Sequence, residues 1–154
     1  MNILNEIPEK MTFSSSGSPV EPELRAIWRI SLIVIILKKL CRGSSASQKK
    51  IQVLYSILSS SDKMGSYSKY GINAELNIRF DPLLDRAISI GLGEKLLEMD
   101  EAKSIRLTKK GNHLSEMIYS AESIFTLEKE FIGLYKKSEF TDKNIDKLLY
   151  KGII

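Results

Sequence analysis

Apolar positions recur at helical spacing through most of this chain, and the first such stretch is the densest. From Pro22 to about Cys41, Ala26, Ile27, Ile30, Ile33, Val34, Leu37 and Cys41 fall on one face of a helix. Trp28, Leu32, Ile35 and Ile36 fall on the opposite face. A helix apolar on two sides is expected to be buried on two sides, and Gly43 stands where a left-handed C-cap would end it. Ser47 is a good N-cap for a second helix over about 48–59, with Ile51, Val53, Leu54, Ile57 and Leu58 as its core stripe. Residues 59–71 are rich in Ser and Gly and read as a surface connection. Asp81-Pro82 then supplies an N-cap and a proline at the first helical position, predicting a third helix to about Leu92.

Two short apolar runs follow, Lys95 to Met99 and Ser104 to Leu107, joined by the turn-like Asp100-Glu101-Ala102-Lys103. They predict a hairpin. Thr108 caps renewed helical periodicity from Leu114 to Tyr135, as one helix or two, and Thr141 caps a last helix over about 142–150 that Gly152 would end. Three helices, a hairpin and a further helix define a mainly α, α+β chain. Their order is that of a winged helix-turn-helix with a two-stranded wing hairpin and an additional C-terminal helical extension. The Leu107-Thr108-Lys109-Lys110-Gly111 start, where Thr caps and Gly lets the next helix pack closely, is a familiar mark of that fold. A helical bundle with an incidental hairpin is the plainer alternative. The chain of 154 residues suits one domain. It divides into an irregular arm over 1–22, a winged-helix domain over 23–121 and C-terminal helices over 122–154 packing on that domain.

Composition narrows the function. With 43% hydrophobic and 27% charged residues the chain is of globular type. One cysteine, Cys41, allows no internal disulfide and fits a reducing compartment, so a cytoplasmic location is expected. The start of the chain carries Glu6 and Glu9 and lacks a signal peptide's basic and apolar blocks. The most lipid-like run, Ile30 to Leu37, falls well short of the roughly 20 apolar residues that span a bilayer. The only histidine, His113, has no cysteine or second histidine near it in sequence, so neither a metal site nor a catalytic His is expected. Asp81 and Asp85 are placed for capping and dipole compensation, not acid catalysis. Gly91-Leu92-Gly93 ends a helix and is followed by no Gly-Lys-Ser/Thr, which excludes a phosphate loop. No catalytic residue, cofactor or small-molecule substrate is expected.

Charge is distributed unevenly around a net +4. Residues 24–61 hold Arg25, Arg29, Lys38, Lys39, Arg42, Lys49 and Lys50 and no acid. Lys38, Lys39, Arg42, Lys49 and Lys50 therefore form a basic corner that could neutralise phosphates, giving salt-sensitive, sequence-independent contact with the backbone of double-stranded DNA. The competing reading is a solvated helix end. The third helix has one cation, Arg86, and two acids, Asp81 and Asp85, which suits direct base readout poorly. Protein contact is the better expectation. The second face of the first helix, Trp28, Leu32, Ile35 and Ile36 with Arg25 and Arg29 at its rim, has the aromatic and Arg content of a protein-binding hot spot. Cover by the chain's own C-terminal helices is the alternative.

Four stretches taken together, Leu24-Arg25-Ala26-Ile27-Trp28-Arg29-Ile30, Arg42-Gly43-Ser44-Ser45-Ala46-Ser47, Arg79-Phe80-Asp81-Pro82 with Arg86-Ala87, and Ile105-Arg106-Leu107-Thr108-Lys109-Lys110-Gly111, resemble a narrower family. It is the small middle component of bacterial ABC three-component defence systems of Lamassu type. The likeness covers about residues 24–120. It implies an accessory adaptor subunit seated on an SMC-like ATPase that helps hold or regulate an effector in antiviral or anti-plasmid defence, with any ATP chemistry in the partner. The other expectation is a MarR- or PadR-like homodimeric transcription regulator, its dimer formed by the first and C-terminal helices.

Overall fold

The computed structural model describes residues 22–150, with side chains described from Ala26 onward. Of the arm expected over residues 1–22, residues 1–21 lie outside the described residues, as does the stop at Gly152, and Pro22 is the first residue of a helix. Among the described residues, seven α-helices and three short strands follow in the order α1 (Pro22–Leu40), β1 (Ser45–Ala46), α2 (Gln48–Leu58), α3 (Ser61–Tyr70), α4 (Pro82–Gly93), β2 (Leu97–Met99), β3 (Ile105–Leu107), α5 (Lys109–Ser120), α6 (Thr126–Gly133) and α7 (Asp142–Tyr150). The architecture is mainly helical with a small antiparallel sheet, an α+β arrangement.

Capping chemistry sets the boundaries. The Ser47 hydroxyl accepts from the Lys50 amide, the Asp81 carboxylate from Leu83, the Thr108 hydroxyl from Gly111 and the Thr141 hydroxyl from Asn144. Gly43, at φ 63°, takes the left-handed conformation that turns the chain after α1. The hairpin forms around Asp100, whose side chain accepts from the Ser104 amide while its backbone amide donates to the Ser104 carbonyl. The sheet has a third member that the sequence did not indicate. β1 pairs with β3, Ala46 opposite Ile105, so the strand order is β1-β3-β2.

One expectation is corrected and one open alternative is decided. Residues 59–71 are not a loop: Ser60 caps α3, which buries Met64 and Tyr67. The periodicity from 108 to 137 belongs to two helices, broken at residues 121–125, where Phe125 sits in the left-handed region at φ 52°.

Helix α1 is the axis of the described residues, packed by α2, α4, α5 and α6 and by strands β1 and β3. Every residue from Ile30 to Leu37 is buried. The close approach the Leu-Thr-x-x-Gly segment implies is present: a Cβ on Gly111 would run into the carbonyl oxygen of Leu96. Helix α7 packs on α2 with Ile145, Leu148 and Leu149 buried, and α6 and the connection after it join the same body through aromatics. Tyr67 of α3 meets Phe131, Tyr135 and Phe140 with ring centroids 5.9, 5.1 and 5.6 Å away, and its hydroxyl donates to Glu139. No helix among the described residues is long and apolar enough to cross a membrane.

Candidate functional site

The face of α1 proposed for protein binding is not on the surface. Leu32, Ile35 and Ile36 have no exposure at all. Trp28 is half-buried, its ring edge-on to Tyr55 at 6.2 Å and against Phe125 at 5.5 Å. Arg29 reaches back into the molecule, its Nε 3.5 Å from the Asp81 carboxylate. The expectation of an interface on this face is therefore corrected: the chain supplies enough apolar helix to enclose α1 itself. The Arg25 side chain lies outside the described residues.

The basic corner is partly dismantled in the same way. Lys50 is buried, with 8% exposure, which removes it as a phosphate contact. Lys49 pairs with Asp146 of α7 at 2.6 Å, and that hydrogen bond raises its pKa above the ordinary lysine value. Lys39 is exposed and lies 4.3 Å over the Tyr119 ring. Lys38 is half-buried, and Arg42 is exposed on the turn after α1. Of the five predicted cations, Lys39 and Arg42 are exposed and Lys38 half-buried near the end of α1, whereas Lys49 is ion-paired and Lys50 buried.

The start of α4 is better organised than its sequence suggests. Gln52 of α2 donates to the Asp81 carbonyl at 3.1 Å and accepts from the Asp81 amide at 3.0 Å, and it donates to the Asp85 carboxylate at 3.0 Å. Gln48, one turn earlier, donates to the same carboxylate oxygen at 2.8 Å. With Arg29 on Asp81, both acids of α4 are engaged by α1 and α2. Asp81 also caps α4, as its position in the sequence led one to expect. What α4 offers outward is Pro82, Leu83, Asp85, Arg86 and Ser89, preceded by Arg79 and Phe80. Phe80 is 50% exposed and Leu83 48%. The signal for the junction was available, since Gln48 and Gln52 stand four apart and share a helix face. Its target on α4 was not.

Chemistry elsewhere is sparse. Among the described residues no group of three His, Cys, Asp or Glu side chains is placed to hold a metal. His113 is exposed on α5. Burial pushes the Cys41 thiol up to about 11, so it is held as the unreactive thiol at neutral pH. Burial also raises the Tyr55 phenol, with Arg29 beside it pulling the other way.

No family model matches this chain, and no curated protein or solved structure is significantly similar to it.

Proposed function

We propose that this chain is a non-catalytic winged-helix adaptor whose partner surface is the start of α4. The order α1, β1, α2, α4 and hairpin, with β1 paired to β3, supports the winged-helix assignment, α3 being an insertion ahead of the third helix. The observation that carries the functional reading is the exposure of Phe80 and Leu83 between Arg79 and Arg86, while the neighbouring acids are paired with side chains of α1 and α2. An aromatic and an aliphatic side chain flanked by arginines suit a protein interface, and they offer few hydrogen-bond donors for reading bases. The resemblance in sequence makes the partner an SMC-like ABC ATPase, with the chain helping to hold or regulate an effector in bacterial antiviral or anti-plasmid defence. Lys38, Lys39 and Arg42 support a secondary, sequence-independent contact with the DNA backbone. A MarR- or PadR-like homodimeric regulator finds less support, because the α1 face it would use for dimerisation is packed within one chain.

Co-expression with a candidate SMC-like ABC ATPase tests the proposal. A stable complex is expected, and Phe80→Ala with Leu83→Arg weakens it by upward of about 2 kcal/mol if the pair is a hot spot, with melting unchanged. Failure to co-purify, or nucleotide or nucleic-acid turnover by the chain alone, overturns it.

A further inference from the structure

Residues 121–125 separate α5 from α6, and nothing in their composition breaks a helix. Ala121-Glu122-Ser123-Ile124-Phe125 holds neither glycine nor proline, and its apolar residues continue the helical spacing that runs from Leu114 to Tyr135. The chain nevertheless leaves the helix at Ala121, which is extended at φ −83°, ψ 103°. It re-enters at Phe125, φ 52°, ψ 39°, with no side-chain cap on α6. A bulky residue holds the left-handed region only where its surroundings over-determine it. Here the surroundings are tertiary: the Phe125 ring is buried 5.5 Å from that of Trp28 on α1, and Lys129 of α6 donates back to the Ala121 carbonyl. Local preference and packing therefore disagree at this one place.

The disagreement has a resolution that keeps the packing. If residues 121–125 become helical, α5 and α6 form one helix from Lys109 to Gly133, about 37 Å long. Helices α6 and α7 are then carried off α1, α2 and α3, and Phe131, Ile132, Ile145, Leu148 and Leu149, all buried in the closed chain, lose their cover. A second copy opened in the same way offers identical seats. Each copy's α6 and α7 then pack on the other, and the ion pair of Lys49 with Asp146 is re-made between chains. The contacts of the closed chain are kept apart from those of the break itself, and Phe125 leaves the left-handed region. We propose that residues 121–125 are a hinge through which two copies of this chain exchange α6 and α7 about a two-fold axis. No residue of the α4 face takes part, and the exchange does not rest on the adaptor reading.

The test is to incubate the full chain near its denaturation midpoint, return it to native conditions, and measure mass by size-exclusion chromatography with light scattering across a concentration series. A dimer is expected whose share grows with concentration and which reverts slowly on dilution, because exchange requires opening. Glu122→Pro separates the two forms. The extended Ala121 suits the residue before a proline, and the Glu122 amide makes no backbone hydrogen bond, so the broken chain accepts the substitution. A continuous helix does not, and the dissociation constant of the dimer rises at least about a hundredfold while the monomer keeps its circular dichroism and melting. A second readout does not depend on that variant. Lys49→Cys with Asp146→Cys, joined by a short bismaleimide under native conditions with Cys41 protected by burial, links two chains in the dimer fraction and closes one chain on itself in the monomer fraction. A parent that stays monomeric after the incubation, a dimer indifferent to Glu122→Pro, or a dimer fraction whose linker stays within one chain overturns the proposal.

Discussion

Helices α1 and α4 lean on the same core and are built to opposite ends. In α1 apolar residues occupy every direction, and the chain wraps α2, α4, α5 and α6 around it until nothing of its middle is left at the surface. In α4 the apolar residues form one inner stripe, Leu84, Ala87, Ile88 and Gly91, while Leu83 is left outside and Phe80 stands exposed just ahead. The difference teaches that apolar density is a poor guide to a binding face. A helix surrounded by its own chain has nothing left to offer, whereas a few apolar groups outside a satisfied stripe have no folding role to account for them.

The comparison can be broken or sharpened by mutation. The largest effect is expected in α1: Ile36→Ala leaves a cavity in a fully enclosed site and costs about 2–5 kcal/mol in chemical denaturation. A loss below about 1 kcal/mol would mean that the middle of α1 is not enclosed and that its second face is open after all. Next comes the α2–α4 junction, where Gln52→Ala strips partners from the Asp81 backbone and the Asp85 carboxylate at once and costs about 1–3 kcal/mol. Retained stability would show that α4 is seated by its apolar stripe alone. The smallest effect on folding lies at the exposed end of α1. Replacing Lys38, Lys39 and Arg42 with Glu should leave the denaturation curve in place, weaken DNA binding about equally across sequences, and lower the slope of log affinity against log salt by about 0.9 for each phosphate no longer neutralised. Equal binding by variant and parent through a salt titration would reduce these cations to solvated surface.

How much of this was legible depended on whether the signal was local. Ser47, Asp81-Pro82, Thr108 and Thr141 mark helix starts through chemistry within three residues, and each start is legible where it occurs. Gly43 and the Asp100 turn are local in the same sense. α3 was missed because its Ser- and Gly-rich composition argues for a loop. The helix is held by Met64 and Tyr67, and the aromatic partners of Tyr67 come from beyond residue 130. β1 was missed because Ser45-Ala46 has no strand pattern and exists as a strand only through β3. The two-sided burial of α1 was legible. Which elements cover it was not, and the misplaced interface followed from that gap. The Lys49 pair with Asp146 failed in the same way, two charges nearly a hundred positions apart meeting only in the fold.

The Gln52 amide does for α4 what a neighbouring strand does for an edge: it gives and takes one hydrogen bond with a single residue's main chain, that of Asp81. Such a ring of two bonds fixes direction as well as distance, so α4 cannot roll about its axis without giving up both. The outer side of the helix is accordingly preorganised, and a partner arriving there would have little main-chain freedom to freeze out. Its association would be close to rigid docking, with a heat-capacity change that follows the apolar area covered and carries no added contribution from local folding.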